Sequence, residues 1–173
     1  MPILFLANFC AVISCTLSTI STFLHTKRKM IIMMIIGCFV DICAELLIWS
    51  VTGAIVAGLA LIRYFVGLNR TLYRKVWVLF VLVAIILGIA FNTVGLAGYV
   101  AIAGIVQYTI WLAFADTPQA MRYGLFINLL IWGVYDFMVD LYLYTAFYAV
   151  ELVIDTVNIY RNRNGELSTA GNK

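Results

Sequence analysis

Apolar stretches separated by short polar clusters run along almost the whole chain. A bilayer's hydrocarbon core needs about 20 mostly apolar residues of helix to cross it. Measured against that length, the pattern predicts seven helical spans: Pro2–Leu24, Met30–Trp49, Thr52–Leu68, Val76–Phe91, Val94–Ala115, Ala120–Val139 and Leu143–Tyr160. The third and fourth are short, and only "SVTG" divides the second from the third. The connections are too short to hold domains. What remains after the last span, "RNRNGELSTAGNK", reads as a soluble tail.

Composition turns seven apolar runs into seven membrane spans. Of 173 residues, 65% are hydrophobic and 11% charged, and the mean hydropathy is +1.05. A soluble domain of this length has no use for so much apolar surface, so the expected class is an all-α integral membrane protein. Lysine and arginine then orient it. With the N-terminus outside, "TKRK" (26–29), "RTLYRK" (70–75), Arg122, Arg161, Arg163 and Lys173 all fall on the cytoplasmic side. The outer connections near Ser50, Thr93 and Asp140 carry no basic residue, and Arg63 lies inside the third span. This is the positive-inside pattern for an N-out, C-in chain. The net charge of +3 is therefore a topology signal and does not point to nucleic acid. The sequon "NRT" at Asn69 would face the cytoplasm and carry no glycan. No basic segment precedes the first run, which reads as a retained span.

Weak internal similarity divides the spans into two halves. An offset of 90 aligns Ala7 with Ala97, Phe9 with Tyr99 and Ala11 with Ala101. An offset of 91 aligns Glu45 with Asp136, Leu61 with Leu152, Val66 with Val157 and Arg70 with Arg161. One span is left over, so the halves share an orientation in a 3+1+3 parallel repeat. The expected units are residues 1–70, a linker helix at 71–92, a second repeat at 93–161 and a tail at 162–173.

Polar residues at membrane depth are costly, roughly 2.5–3.5 kcal/mol each on insertion scales, and mark candidate function. Gly37, Asp41 and Glu45 form one helical stripe, and the offset of 91 sets them against Asn128, Trp132 and Asp136, with Tyr135 beside the second stripe. Facing across a central cavity, these residues would bind a solute: Asn128 through hydrogen bonds, Trp132 and Tyr135 through ring faces that suit a flat molecule or a cation. Asp41, Glu45, Asp136, Glu151 and Asp155 are five carboxylates against one intramembrane cation, Arg63. Even if Arg63 pairs with Asp155 as a structural tie between the halves, four acids remain. Protons or a bound cation would have to neutralise them. The competing reading is that such groups only hydrogen-bond to neighbours and fix packing. Core packing is as good an account of Gln107 and Trp111, and the ridge Ala97, Ala101, Gly104 reads as close helix packing.

Other chemistry lacks its residues. The four cysteines form no C-x-x-C pair and His25 is the single histidine, so neither a metal nor a redox centre is expected. No P-loop, nucleophile elbow or H-E-x-x-H motif occurs, so the chain reads as neither an enzyme nor an ATP-driven pump, and no cofactor is expected. The expected partners are the lipid bilayer, a small solute, and protons or a cation.

The stretches "LLIWSVTGAIVAGLALIRYFVGLNR" (46–70) and "MRYGLFINLLIWGVYDF" (121–137), followed by Glu151 and Arg161, resemble the YgjV-like family of bacterial inner-membrane proteins over about residues 3–162. The 3+1+3 plan is similar to that of the wider SWEET and PQ-loop carriers. The "PQ" dipeptide at Pro118-Gln119 occurs once, with no counterpart at Arg28-Lys29. The resemblance implies a multi-pass protein of the bacterial inner membrane, a small-molecule carrier or a non-transporting receptor or assembly protein on the same scaffold. It also implies that the third helix of each half lies between the first two, keeping Cys10–Cys43 and Cys15–Cys38 reduced and apart.

Overall fold

The computed structural model describes the backbone of residues 2–47, 51–92, 95–138 and 142–170; side chains at 2–5, 7, 8, 11, 45, 51–55, 143, 144 and 162–170 lie outside the described residues. Among the described residues there are seven helices and no strand. These are α1 (Pro2–Thr22), α2 (Lys27–Leu47), α3 (Val51–Gly67), α4 (Arg70–Ala90), α5 (Leu96–Phe114), α6 (Pro118–Met138) and α7 (Tyr142–Ala170). Two of them, α4 and α5, are long and apolar enough to cross a membrane.

The helix limits follow local chemistry. Asn69 caps α4, its side chain accepting from the Leu72 amide at 3.2 Å, so the sequon asparagine is a helix cap. Thr117 does the same for α6 by accepting from the Ala120 amide at 3.1 Å. Pro118 then takes the first helical position, where its missing N–H is harmless and its fixed φ is helical. The lone "PQ" dipeptide thus starts a helix and does not bend one. Gly95 enters α5 at φ 62, a conformation that favours glycine. The expected tail is different in the structure: α7 runs on to Ala170. No proline falls in 161–170 to stop it, and one glycine, Gly165, does not break a helix that is already propagating.

Sequential neighbours pack together, as short connections favour. In the first half α2 lies between α1 and α3, and in the second α6 lies between α5 and α7. The implied order, with the third helix central, is therefore corrected: in each half the second helix is central. Farther along the chain, α1 touches α7, α2 touches α6 and α3 touches α5, while α4 leans on α5 and α3. All four cysteines are free.

The best-packed region lies toward the end of the bundle that carries the basic clusters, here called the basic end. Met30, Ile31, Met34, Tyr64, Tyr73, Tyr108, Leu112 and Met121 are buried there. Lys27 donates to the carbonyls of Leu112 (3.1 Å) and Ala115 (2.6 Å), capping the C-terminus of α5. Arg74 donates to Ala113 O, and both Arg70 and Arg74 pair with Asp116. Burial pushes the Lys27 ammonium below its ordinary value; Arg70 and Arg74 push the same way and Asp116 opposes them. Elsewhere the outer surface is apolar. Leu79, Leu82, Ile86 and Ile89 of α4 and Val150, Val153 and Val157 of α7 all point outward. Hydrocarbon is the solvent such a surface suits.

Candidate functional site

Helix α7 has its polarity reversed relative to a helix of a soluble protein. Its valines face out, while Glu151 (2% exposed), Asp155 (0%) and Asn158 (4%) face in. The spacing i, i+4, i+7 puts these three polar residues on one stripe. The stripe faces α1, where Ser18 and Thr19 lie beside Glu151 and Thr22 lies beside Asp155. None of the four carboxylate oxygens has an aligned hydrogen bond. Asn158 donates to Thr22 Oγ1 at 3.0 Å.

The cation of this seam is Arg122, which is 3% exposed. Its Nε donates to Thr22 O (2.8 Å), Nη2 to Leu24 O (3.1 Å) and Nη1 to Gln119 Oε1 (3.0 Å). Gln119 in turn donates to Ile159 O of α7 at 3.0 Å. Arg122 therefore ties α6 to the end of α1 and acts electrostatically on Asp155. The sequence pattern counted Arg122 among the topology signals. What sets it apart is that it stands alone, while the neighbouring basic residues come in clusters.

Arg63 and Asp155 do not pair, which corrects the expected structural tie. Arg63 Nη1 donates to Ile105 O (3.2 Å) and Thr109 Oγ1 (3.1 Å) of α5. Its guanidinium lies over the rings of Tyr64 and Tyr108, 4.8 and 5.1 Å from their centroids. Tyr73 closes the box by donating to Thr109 O at 3.0 Å. The reason is geometric: α3 packs on α2, α4 and α5, and α7 packs on α6 and α1, so matched depth along the bundle does not bring the two residues together.

The predicted stripes divide between two neighbourhoods. Asp136, on α6, is 5% exposed. Asp41, which is half-buried, and the buried Asp136 and Glu151 all lie near enough to Cys15 and Tyr148 to act on both electrostatically. This is the polar centre where α1, α2, α6 and α7 approach one another. Asn128 and Trp132 engage α5 instead. The Asn128 amide donates to Gly104 O (2.9 Å) and Gln107 Oε1 (3.4 Å), and the Trp132 indole lies against Gly104. Tyr135 meets Trp132 edge to face, centroids 5.4 Å apart. Glu45 belongs to α2, but its side chain lies outside the described residues.

Gln107 and Trp111 continue the join between α5 and α6. Gln107 donates to Gly124 O at 3.4 Å and the Trp111 indole to Ala120 O at 2.6 Å. The Trp111 ring occupies the place where a Cβ at position 124 would sit, so only glycine fits there. Outside this join runs a shallow apolar groove lined by Tyr99, Ala103, Ile131 and Val134, to which no predicted site residue contributes. Among the described residues no group of three or more histidine, cysteine or acidic side chains could hold a metal ion.

No curated protein and no solved structure matches this chain. A model of a protein family does, over residues 5–166, a range that takes in Arg63, Arg122 and every carboxylate discussed above. The chain belongs to the Imp-YgjV family of bacterial inner membrane proteins.

Proposed function

We propose that this protein is a multi-pass carrier of a small polar or cationic solute, working by alternating access, passively or coupled to protons. The reading takes the fold as 3+1+3 with N-out, C-in topology, as in SWEET and PQ-loop carriers. The contacts α1 to α7, α2 to α6 and α3 to α5 are those expected if a pseudo-twofold along the membrane normal relates the triplets. One observation carries the reading further: Asp41 from one half and Asp136 from the other act on the same Cys15 and Tyr148. Carboxylates from both halves then share one polar centre, away from lipid, where a cation or a proton would neutralise them. Trp132 and Tyr135 would lie along the solute's path, and Glu45 would extend the site outward. In this reading the chain has no catalytic role and needs no cofactor.

The alternative, a receptor or assembly protein with the same scaffold, draws support from the α5–α6 join. There the Asn128 amide and the Gln107 side chain are already committed to protein acceptors. Uptake of a panel of polar and cationic solutes into proteoliposomes, with and without a pH gradient, separates the two. A carrier should take up at least one solute, and Asp41→Asn or Asp136→Asn should abolish that uptake while leaving the protein folded. Absence of uptake across the panel, or full uptake by both variants, would favour the receptor reading.

A further inference from the structure

The α1–α7 seam lacks hydrogen-bond donors where its acids need them. Thr19 Oγ1 donates to Cys15 O at 3.0 Å and Thr22 Oγ1 to Thr19 O at 2.8 Å. A carbonyl only accepts, so each contact uses the one hydrogen that a threonine hydroxyl owns. Thr22 Oγ1 also accepts from Asn158. While those carbonyl contacts stand, neither hydroxyl has a second hydrogen for the carboxylate beside it, so Thr19 and Thr22 can serve Glu151 and Asp155 as donors only by giving up a helix carbonyl. All four oxygens of Glu151 and Asp155 are buried without a hydrogen-bond partner. Ser18 could serve one of them. The other oxygens depend on threonines whose single hydrogens also lie toward Cys15 O and Thr19 O.

An equivalent threonine in the other half has the donor that this seam lacks. Thr109 of α5, at the offset of 90 from Thr19, donates in the same way to Ile105 O, at 2.7 Å. Its oxygen then receives the Arg63 Nη1 hydrogen at 3.1 Å. In the α1–α7 seam the residue facing the committed threonine is an acid, and an acid can donate only when it carries a proton. Of the charged and titratable groups around it, Arg122 favours the charged form of Asp155, and none does so for Glu151. From α6, Arg122 acts on Asp155 without a hydrogen bond to it, and Asp136 adds negative charge near Glu151's neighbours. Cys15 of α1, Asp41 of α2 and Tyr148 of α7 supply no further cation.

We infer that Glu151 and Asp155 form a proton-binding site along the α1–α7 seam, each holding one proton as a neutral carboxylic acid that donates to the threonine oxygen opposite. The step is simple protonation: a carboxylate takes a proton from water at the basic end, and gives it back when the seam opens. The i, i+4 spacing makes two successive stations along α7, separate from the polar centre of Asp41 and Asp136. Use of these protons to drive flux rests on the carrier reading above; the binding itself does not.

Infrared spectroscopy of the full chain in lipid nanodiscs at neutral pH tests it. The carbonyl stretch of protonated carboxylic acid should be present, with one component lost in Glu151→Gln, another in Asp155→Asn, and both in the double variant. The amides keep a donor toward Thr19 and Thr22, so the variants should melt no lower than the parent. Thr19→Val leaves both acids in place and should shift the Glu151 component by removing its acceptor. A band untouched by these changes, or lost from the parent on adding sodium at fixed pH, would show ionised acids or a metal cation and overturn the proposal. If the bands behave as expected and no solute is taken up, only the carrier reading fails. Uptake without the bands leaves that reading standing and removes this one.

Discussion

The seam between α3 and α5 and the seam between α7 and α1 are built on the same threonine device and filled with opposite charge. In the first, Arg63 lies over two tyrosine rings and donates to Thr109 and Ile105. In the second, the oxygens of Glu151 and Asp155 have no aligned hydrogen bond, and the threonines beside them also serve helix carbonyls. A buried arginine costs roughly 2.5–3.5 kcal/mol on insertion scales. A desolvated cation–ring contact returns about 2 kcal/mol or more, and each hydrogen bond to a charged group about 1.5–3 kcal/mol. Two rings and two acceptors thus hold Arg63 with no carboxylate needed. The acidic seam has no such closure within the protein. The first seam holds its charge with groups of the protein, leaving Arg63 Nε as its one buried atom without a hydrogen-bond partner among the described residues, while in the proposal above the second takes protons from outside.

The strongest way to break this comparison is at Arg122, the cation beside the acidic seam. Arg122→Ala removes two hydrogen bonds that tie α6 to Thr22 and Leu24, and a third, within α6, that orients Gln119. It also removes the arginine that acts on Asp155. Losing two charge-assisted hydrogen bonds between α6 and the end of α1, worth about 1.5–3 kcal/mol each, should destabilise by about 3–6 kcal/mol. Arg122→Lys should recover little, because an ammonium cannot reach three separate acceptors as a planar guanidinium does. Thermal unfolding in detergent reads both. An alanine variant that melts like the parent would mean that the seam does not depend on its arginine.

Arg63 should respond differently, and the contrast sharpens the argument. Arg63→Met fills similar volume with an apolar chain and removes the cost of burying a charge along with its contacts, so it should stay within about 1.5 kcal/mol of the parent. Arg122→Met should not. A double-mutant cycle on Arg63→Ala and Asp155→Asn should give a coupling energy below about 0.5 kcal/mol, as for sites that share no partner. A larger coupling would restore the ion pair between the halves that depth along the sequence suggested.

That suggestion shows where the sequence was legible. Seven helices and their limits could be read because run length and capping residues are local. The observed Pro2–Thr22 and Leu96–Phe114 end within about two residues of the apolar boundaries, whereas α4 begins at Arg70, ahead of the run from Val76, and α7 continues past Tyr160 to Ala170. The choice of the central helix in each half is not local, and nothing in "LLIWSVTGAIVAGLALIRYFVGLNR" says which neighbour α3 will meet. Charge counting located the buried acids but paired Arg63 wrongly, because it treated a carboxylate as the sole partner an arginine takes. The aromatic residue beside it on the chain, Tyr64, was the available clue. Asn128 was read as a solute ligand from its stripe alone, and its amide instead joins α5 at Gly104 O.

The smallest expected effect concerns Lys27, which joins the first half to the C-terminus of α5 from outside the apolar spans. An exchange to methionine loses a cation at a helix C-terminus, usually about 0.3–1 kcal/mol. The pH dependence separates this from simple loss of packing. Burial and the nearby arginines lower the folded-state pKa of Lys27 below the ordinary 10.5. Between the lowered value and 10.5 the unfolded chain therefore binds more protons than the folded one at this site. Stability from this group must then rise as pH climbs through that window, and the penalty is fully present below it. Lys27→Met removes the charged form altogether, so its stability relative to the parent should fall as pH rises across the same window. Chemical denaturation at a series of alkaline pH values, parent against variant, checks the slope. A difference that grows in the other direction would mean that Asp116, and not burial, dominates the charge at the foot of α2.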